Sequence, residues 1–177
     1  AGLILSVVPP SEASAVAATL AAAARRTGAT PLVAELNAVS PSTVQAIGAR
    51  LHDAGIDLVD GSVSGPPPRD GAETRIYLSG PRAAEVAALG GPGIRWRVVG
   101  EEIGLASAVK MSTASVYKGT SALLAHALLT AVEHGVLDDV LDDLRVAWPQ
   151  LVDGASPLLQ SAAAKAGCKK LYVHALL

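Results

Sequence analysis

Lys110 sits near the start of a long Ala- and Leu-rich stretch that reads as helix, and a lone amine in such surroundings is a candidate for proton exchange. An ammonium taken partly out of water gives up its proton more readily, which suits general acid–base work near neutral pH. The same pattern also fits a helix lysine that snorkels to solvent. Upstream, Asp60-Gly61-Ser62-Val63-Ser64-Gly65 follows an apolar run. There the Ser64 hydroxyl and neighbouring backbone N–H groups can reach a substrate carboxylate, or simply make a turn. Asn37 follows another apolar run, where open α/β sheets bind ligands at their strand ends. It equally suits a turn leading to the Ser40 cap. Lys118 lies roughly 80° around a helix from Lys110, so it faces either the same cleft or solvent. Arg69 reads as an exposed loop arginine or a partner for an acidic substrate. The four histidines, His52, His126, His134 and His174, form no H-E-x-x-H or Cys/His pair, so no metal site is expected. Asp138, Asp139, Asp142 and Asp143 read as a solvated helix face with favourable first-turn acids.

The elements that must position these residues alternate. Leu3 to Val8 is a continuous apolar run ended by Pro9-Pro10, as in a strand buried on both faces. Ser11 is placed to cap a helix running through the Ala-rich stretch to Arg26, which Gly28 stops. Pro31 to Leu36 is a second strand. Ser40-Pro41 is a cap followed by a first-turn proline, opening a helix to about Ala54. Ile56 to Val59 is a third strand, and Gly61 to Gly71 a loop. Thr74 to Leu78, Pro81 to Leu89 and Ile94 to Val99 read as strand, helix and strand. One long helix is expected from Ile103 to about Gly135, and another from Leu137 to Trp148 before Pro149. The order predicts the C-terminal part of a Rossmann-like, mostly parallel α/β sheet over residues 1–102, then an all-α region over residues 103–177. There is no internal repeat.

Composition narrows the function. The 177 residues suit one ordinary domain, or one with a short appendage. Half are apolar, 17% are charged and none is Phe, so the core must be built from Ala, Val, Leu and Ile. A net charge of −2 argues against a nucleic-acid partner. The one cysteine, Cys168, allows no intramolecular disulfide and fits a reducing compartment. The first residues lack the basic region of a signal peptide. Gly119 to Val132 falls short of the roughly 18 apolar residues a spanning helix needs. A soluble cytoplasmic protein with no membrane partner is expected.

Neither G-x-G-x-x-G nor G-x-x-x-x-G-K-[ST] occurs. The ordered segments nevertheless resemble the 6-phosphogluconate-dehydrogenase-like β-hydroxyacid dehydrogenases over about Gly2 to Leu137. Val7-Val8-Pro9-Pro10-Ser11 is similar to that family's strand and loop beside the nicotinamide. Glu35-Leu36-Asn37-Ala38-Val39-Ser40-Pro41 is similar to its next strand-to-helix turn, and Asp60 to Gly65 to its substrate-binding signature. Gly104 to Met111 resembles the start of its long helix, with Lys110 on the catalytic lysine. Lys118-Gly119 resembles a branch with a helical C-terminal domain of unknown function.

The resemblance implies an oxidoreductase using NAD or NADP, with hydride passing to or from a small hydroxy acid, keto or imine substrate. Lys110 would exchange the proton; Ser64, Gly65 and Lys118 would hold the substrate; Pro9, Pro10 and Asn37 would line the nicotinamide side. The Ala/Leu face of the long helix suits a homodimer. Two departures stand out. The family commonly carries Asn one helical turn after the lysine, where this chain has Ala114. The match begins at the family's fourth strand, so a fragment is expected, with the glycine-rich unit upstream of Ala1. A non-catalytic remnant or dimerisation module is the alternative.

Overall fold

A computed structural model describes residues 2–67 and 73–152. Arg69, Cys168 and His174 lie outside them. Five strands form one sheet in chain order: β1 (Leu3–Ser6), β2 (Leu32–Glu35), β3 (Leu58–Ser64), β4 (Thr74–Ser79) and β5 (Ile94–Gly100). β1, β2 and β3 are parallel neighbours, β4 runs antiparallel to β3, and β5 returns parallel to β4. Helices α1 (Ala13–Thr27) and α2 (Pro41–His52) make the two parallel crossovers, and short α3 (Ala83–Ala87) joins β4 to β5. This is the mostly parallel α/β sheet that the alternating sequence predicts.

The apolar run of β2 is continuous because both sheet faces are covered there, whereas β1 ends at Ser6 on the sheet edge and is not buried on both faces as expected: Leu5 is 47% and Val7 70% exposed. Val33 and Leu58 pack against α1 and α2, whereas Leu32, Ala34, Val59, Ile76 and Leu78 pack on the other side with Ala83 and Val86 of α3. Helix α1 meets the sheet through Ala13, Ala17, Ala21 and Ala24, all buried, which lets its backbone approach closely. Gly28, at φ 71, ends α1 in the left-handed conformation that glycine adopts at little cost.

Ser40 caps α2 as expected: its Oγ accepts from the Thr43 N–H at 3.1 Å, and Pro41 opens the first turn. Ser40→Ala is expected to cost about 1 kcal/mol, read as a shift of the denaturation midpoint at unchanged slope. Ser11 does not cap α1. It lies within a 3-10 turn (Pro10–Glu12) that precedes the helix, and its hydroxyl meets Glu12 instead. The third strand also differs from expectation. It spans Leu58–Ser64, because residues 60–64 pair with β4 instead of looping out.

Two compact units divide the chain, Ala1–Ser112 and Thr113–Leu177. Helix α4 (Leu105–His134) gives its first turns to the first unit and the remainder to the second. In the second unit Leu124, Leu128, Ala131, Leu137 and Leu141 are buried. The last two belong to α5 (Leu137–Ala147), whose first-turn acids are Asp138 and Asp139. A short helix, α6 (Pro149–Val152), follows.

Candidate active site

The carboxyl ends of β1, β2 and β3 lie side by side, and each carries a segment singled out from the sequence. Asn37 follows β2 and is 5% exposed. Its Oδ1 accepts from the Val8 N–H at 2.7 Å, and its Nδ2 donates to Glu35 Oε1 and to Ser6 Oγ. Its own N–H donates to Glu35 Oε1 at 3.1 Å. Glu35, 2% exposed, thus orients an amide that ties the loop after β1 to the end of β2. Pro9 and Pro10 stand exposed just beyond the tethered Val8.

The Asp60-to-Gly65 segment forms the end of β3. Side chains alternate along a strand, so Asp60, Ser62 and Ser64 share one face. Gly61 points the other way, where a Cβ would collide with Leu36 and Leu78. Gly65 adopts φ 112, a conformation L side chains rarely take, and a Cβ there would press on the Glu73 carbonyl at 3.3 Å.

The start of α4 lies on the Asp60 face. The Asp60 carboxylate, with no exposed surface, takes hydrogen bonds from the Gly104 N–H, the Ser107 N–H and the Ser79 hydroxyl, each at 3.0 Å, and from the Ser107 hydroxyl at 2.7 Å. Ser62 Oγ donates to the Ala106 carbonyl at 2.8 Å, and the Ala106 N–H donates to Ser79 Oγ at 3.1 Å. One turn further along α4, Lys110 Nζ donates to the Val63 carbonyl at 2.8 Å. The fold therefore brings Lys110 beside Ser64 and Gly65 across 47 positions of chain. Lys118 is exposed and belongs to the second unit. Asp60 belonged to the recognised segment, but its role as an anchor for α4, shared with Ser62, Ser79 and Ser107, was not read from the sequence. Glu35 behind Asn37 was missed in the same way.

A cavity of about 470 Å³ opens at the other end of β3, lined by Ile56, Leu58, Ile103, Pro81, His52 and Arg82. Beside it Arg82 bonds Glu85 and Asp57. These bonds, first that to Glu85, hold the guanidinium more firmly charged and pull the Glu85 carboxyl below its ordinary range. The cavity holds none of the residues gathered around Lys110. Among the described residues no three His, Cys, Asp or Glu side chains cluster as a metal site would require. Nor is any helix among them long and apolar enough to cross a membrane.

Solved structures share this arrangement. A conserved hypothetical protein from Sinorhizobium meliloti is 27% identical with a TM-score of 0.66, covering 99% of this chain and 65% of its own. A conserved protein of unknown function, described as structurally similar to 3-hydroxyacid dehydrogenases, is 30% identical with a TM-score of 0.69, covering 94% and 60%. A reductive aminase from Aspergillus terreus, in complex with NADPH and ethyl levulinate, is 19% identical with a TM-score of 0.62, covering 98% and 70%. No family model and no curated protein matches the sequence. The first two of these structures are longer, and this chain spans about 60–65% of their length. The fold is one shared with dehydrogenase- and reductase-type structures. One of these structures is described as similar to 3-hydroxyacid dehydrogenases, a likeness in line with the ordered sequence segments.

Proposed function

We propose that the chain is part of an NAD- or NADP-dependent oxidoreductase acting on a small hydroxy acid, keto or imine substrate. The observation that carries the reading is the placement of Lys110 Nζ at the Val63 carbonyl, beside Ser64 and Gly65. A proton-exchanging amine and a small-residue loop able to hold a polar substrate then face one space. The residues at the ends of β1 and β2 fit the nicotinamide end of a dinucleotide: Pro9 and Pro10 offer an apolar edge, and Asn37 fixes that edge through Val8. The nicotinamide, when bound, supplies or accepts the hydride. In the reducing direction Lys110 gives its proton to the oxygen or nitrogen on the carbon being reduced; in the oxidising direction it takes that proton back. Ser64 donates its hydroxyl to the substrate, and the Gly65 loop lies close against it. The unit that carries the sheet and the start of α4 would be the sheet part of a dinucleotide domain, and the rest of α4 with α5 would belong to a helical domain. The exposed Val116 and Leu123, two turns apart on one face of α4, suit pairing with a second copy in a homodimer.

The test is turnover by the natural full-length protein, supplied with NADH or NADPH and a panel of oxoacids and imines, and with NAD or NADP and β-hydroxy acids. Oxidation or reduction of the nicotinamide that depends on one substrate class supports the proposal. No turnover and no binding of either dinucleotide by calorimetry would leave the non-catalytic, dimerising remnant as the function.

A further inference from the structure

Helix α4 is held at its start by a group far away in sequence. The first N–H groups of a helix lack intrahelical partners, and a side chain immediately before the helix ordinarily accepts from them. Here the residue before α4 is Gly104, at φ 109, and a Cβ there would meet Gln45 and Pro41. A local side-chain cap at that position is therefore excluded. The acceptor comes instead from Asp60, 44 positions upstream on β3.

We propose that Asp60 is a positioning residue for Lys110, an inference that rests on the oxidoreductase reading above. Both Asp60 oxygens engage α4: Oδ2 holds the Gly104 and Ser107 N–H groups and Oδ1 holds the Ser107 hydroxyl. A forked acceptor of this kind resists both sliding of the helix and rotation about its axis. Ser79, which bonds Oδ2 and also receives the Ala106 N–H, fixes the same turn to β4. Ser62 adds a bond to the Ala106 carbonyl. Ser64 lies on the same strand face as Asp60, and Lys110 lies one turn beyond Ser107. Asp60 therefore sets the separation between the amine and the substrate loop without touching the substrate. An amide there can keep its oxygen for the Gly104 and Ser107 N–H groups only by turning its NH2 to the Ser107 hydroxyl, so the charge and one acceptor are lost and the turn is loosened while shape is preserved.

The experiment compares Asp60→Asn with the parent in the natural full-length protein by two readouts. The first is acylation of Lys110 by acetic anhydride, measured by mass spectrometry against Lys118 in the same molecule. The second is kcat alongside the KM for NAD(P)H. We expect a folded variant in which Lys110 is acylated faster relative to Lys118 and kcat falls about 10- to 100-fold, the size of a sub-ångström to 1 Å misplacement. The cofactor KM should stay near the parent value. Acylation and kcat both at parent values would overturn the proposal. Where Asp60→Asn does not fold, Ser107→Ala removes a single hydrogen bond to the same carboxylate. A smaller change in the same direction supports the proposal and no change overturns it. If the parent turns over no substrate, the oxidoreductase reading falls, and the acylation ratio alone decides whether Asp60 positions the amine.

Discussion

Replacing Lys110 by alanine is expected to lower kcat at least about 100-fold, at the lower edge of what a general acid–base group contributes. Hydride transfer to or from an alcohol or amine carbon needs a group that exchanges the proton on the heteroatom. The fold brings the Lys110 amine onto the Val63 carbonyl, next to Ser64 and Gly65. The amide that the resembled family carries one turn beyond the lysine is absent, since Ala114 stands there, so on the proposed reading Lys110 would carry the exchange without that neighbour. Dinucleotide affinity should change little, because Pro9, Pro10 and Asn37 lie on other segments. Lys118→Ala should cost far less than Lys110→Ala. Steady-state kinetics of the two variants, with cofactor binding measured separately, checks the assignment. Near-normal turnover in Lys110→Ala, with Lys118→Ala inactive, would give the proton to the second lysine.

Asn37→Asp should be the more damaging substitution for stability, by on the order of 2–4 kcal/mol at neutral pH. The present amide accepts from Val8 and donates to both Glu35 and Ser6 in a site almost closed to water. A carboxylate at that position keeps the first bond. It loses both donors and sets a second negative oxygen against Glu35 where solvent cannot screen the pair. For a chain of this size, at roughly 2–4 °C per kcal/mol, the melting temperature should fall by ~5–15 °C. Acidification lets the introduced carboxyl carry a proton and donate it as the amide now does, so the gap from the parent should narrow as pH falls. Melting curves at several pH values test this. A gap independent of pH would mean that Glu35 and residue 37 do not face each other.

The helices and the covered strands could be read from short stretches of sequence because their causes are local. Ser40-Pro41 opens α2 by a bond spanning three residues, and Gly28 and Gly135, at φ 71 and 72, stop α1 and α4 where a left-handed residue is needed. The unbroken apolar run of β2 follows from helices on both sides of it. The ordered segments also carried the family likeness and marked Asn37, Ser64 and Lys110. Ser11 shows where local reading stops: its cap chemistry was present, but the two prolines before it turned the chain into a 3-10 entry that left its hydroxyl elsewhere. The extent of β3 depends on antiparallel pairing with β4, a partner that begins only at Thr74, so residues 60–64 by themselves read as loop. The meeting of Asp60 with Gly104 and Ser107, of Asn37 with Val8, and of Lys110 with Val63 joins positions 29 to 47 residues apart. Such bonds form only after the sheet has set its order and strand alternation has chosen a face. Residue types alone supplied the donors and acceptors, and the tertiary fold chose which of them would meet.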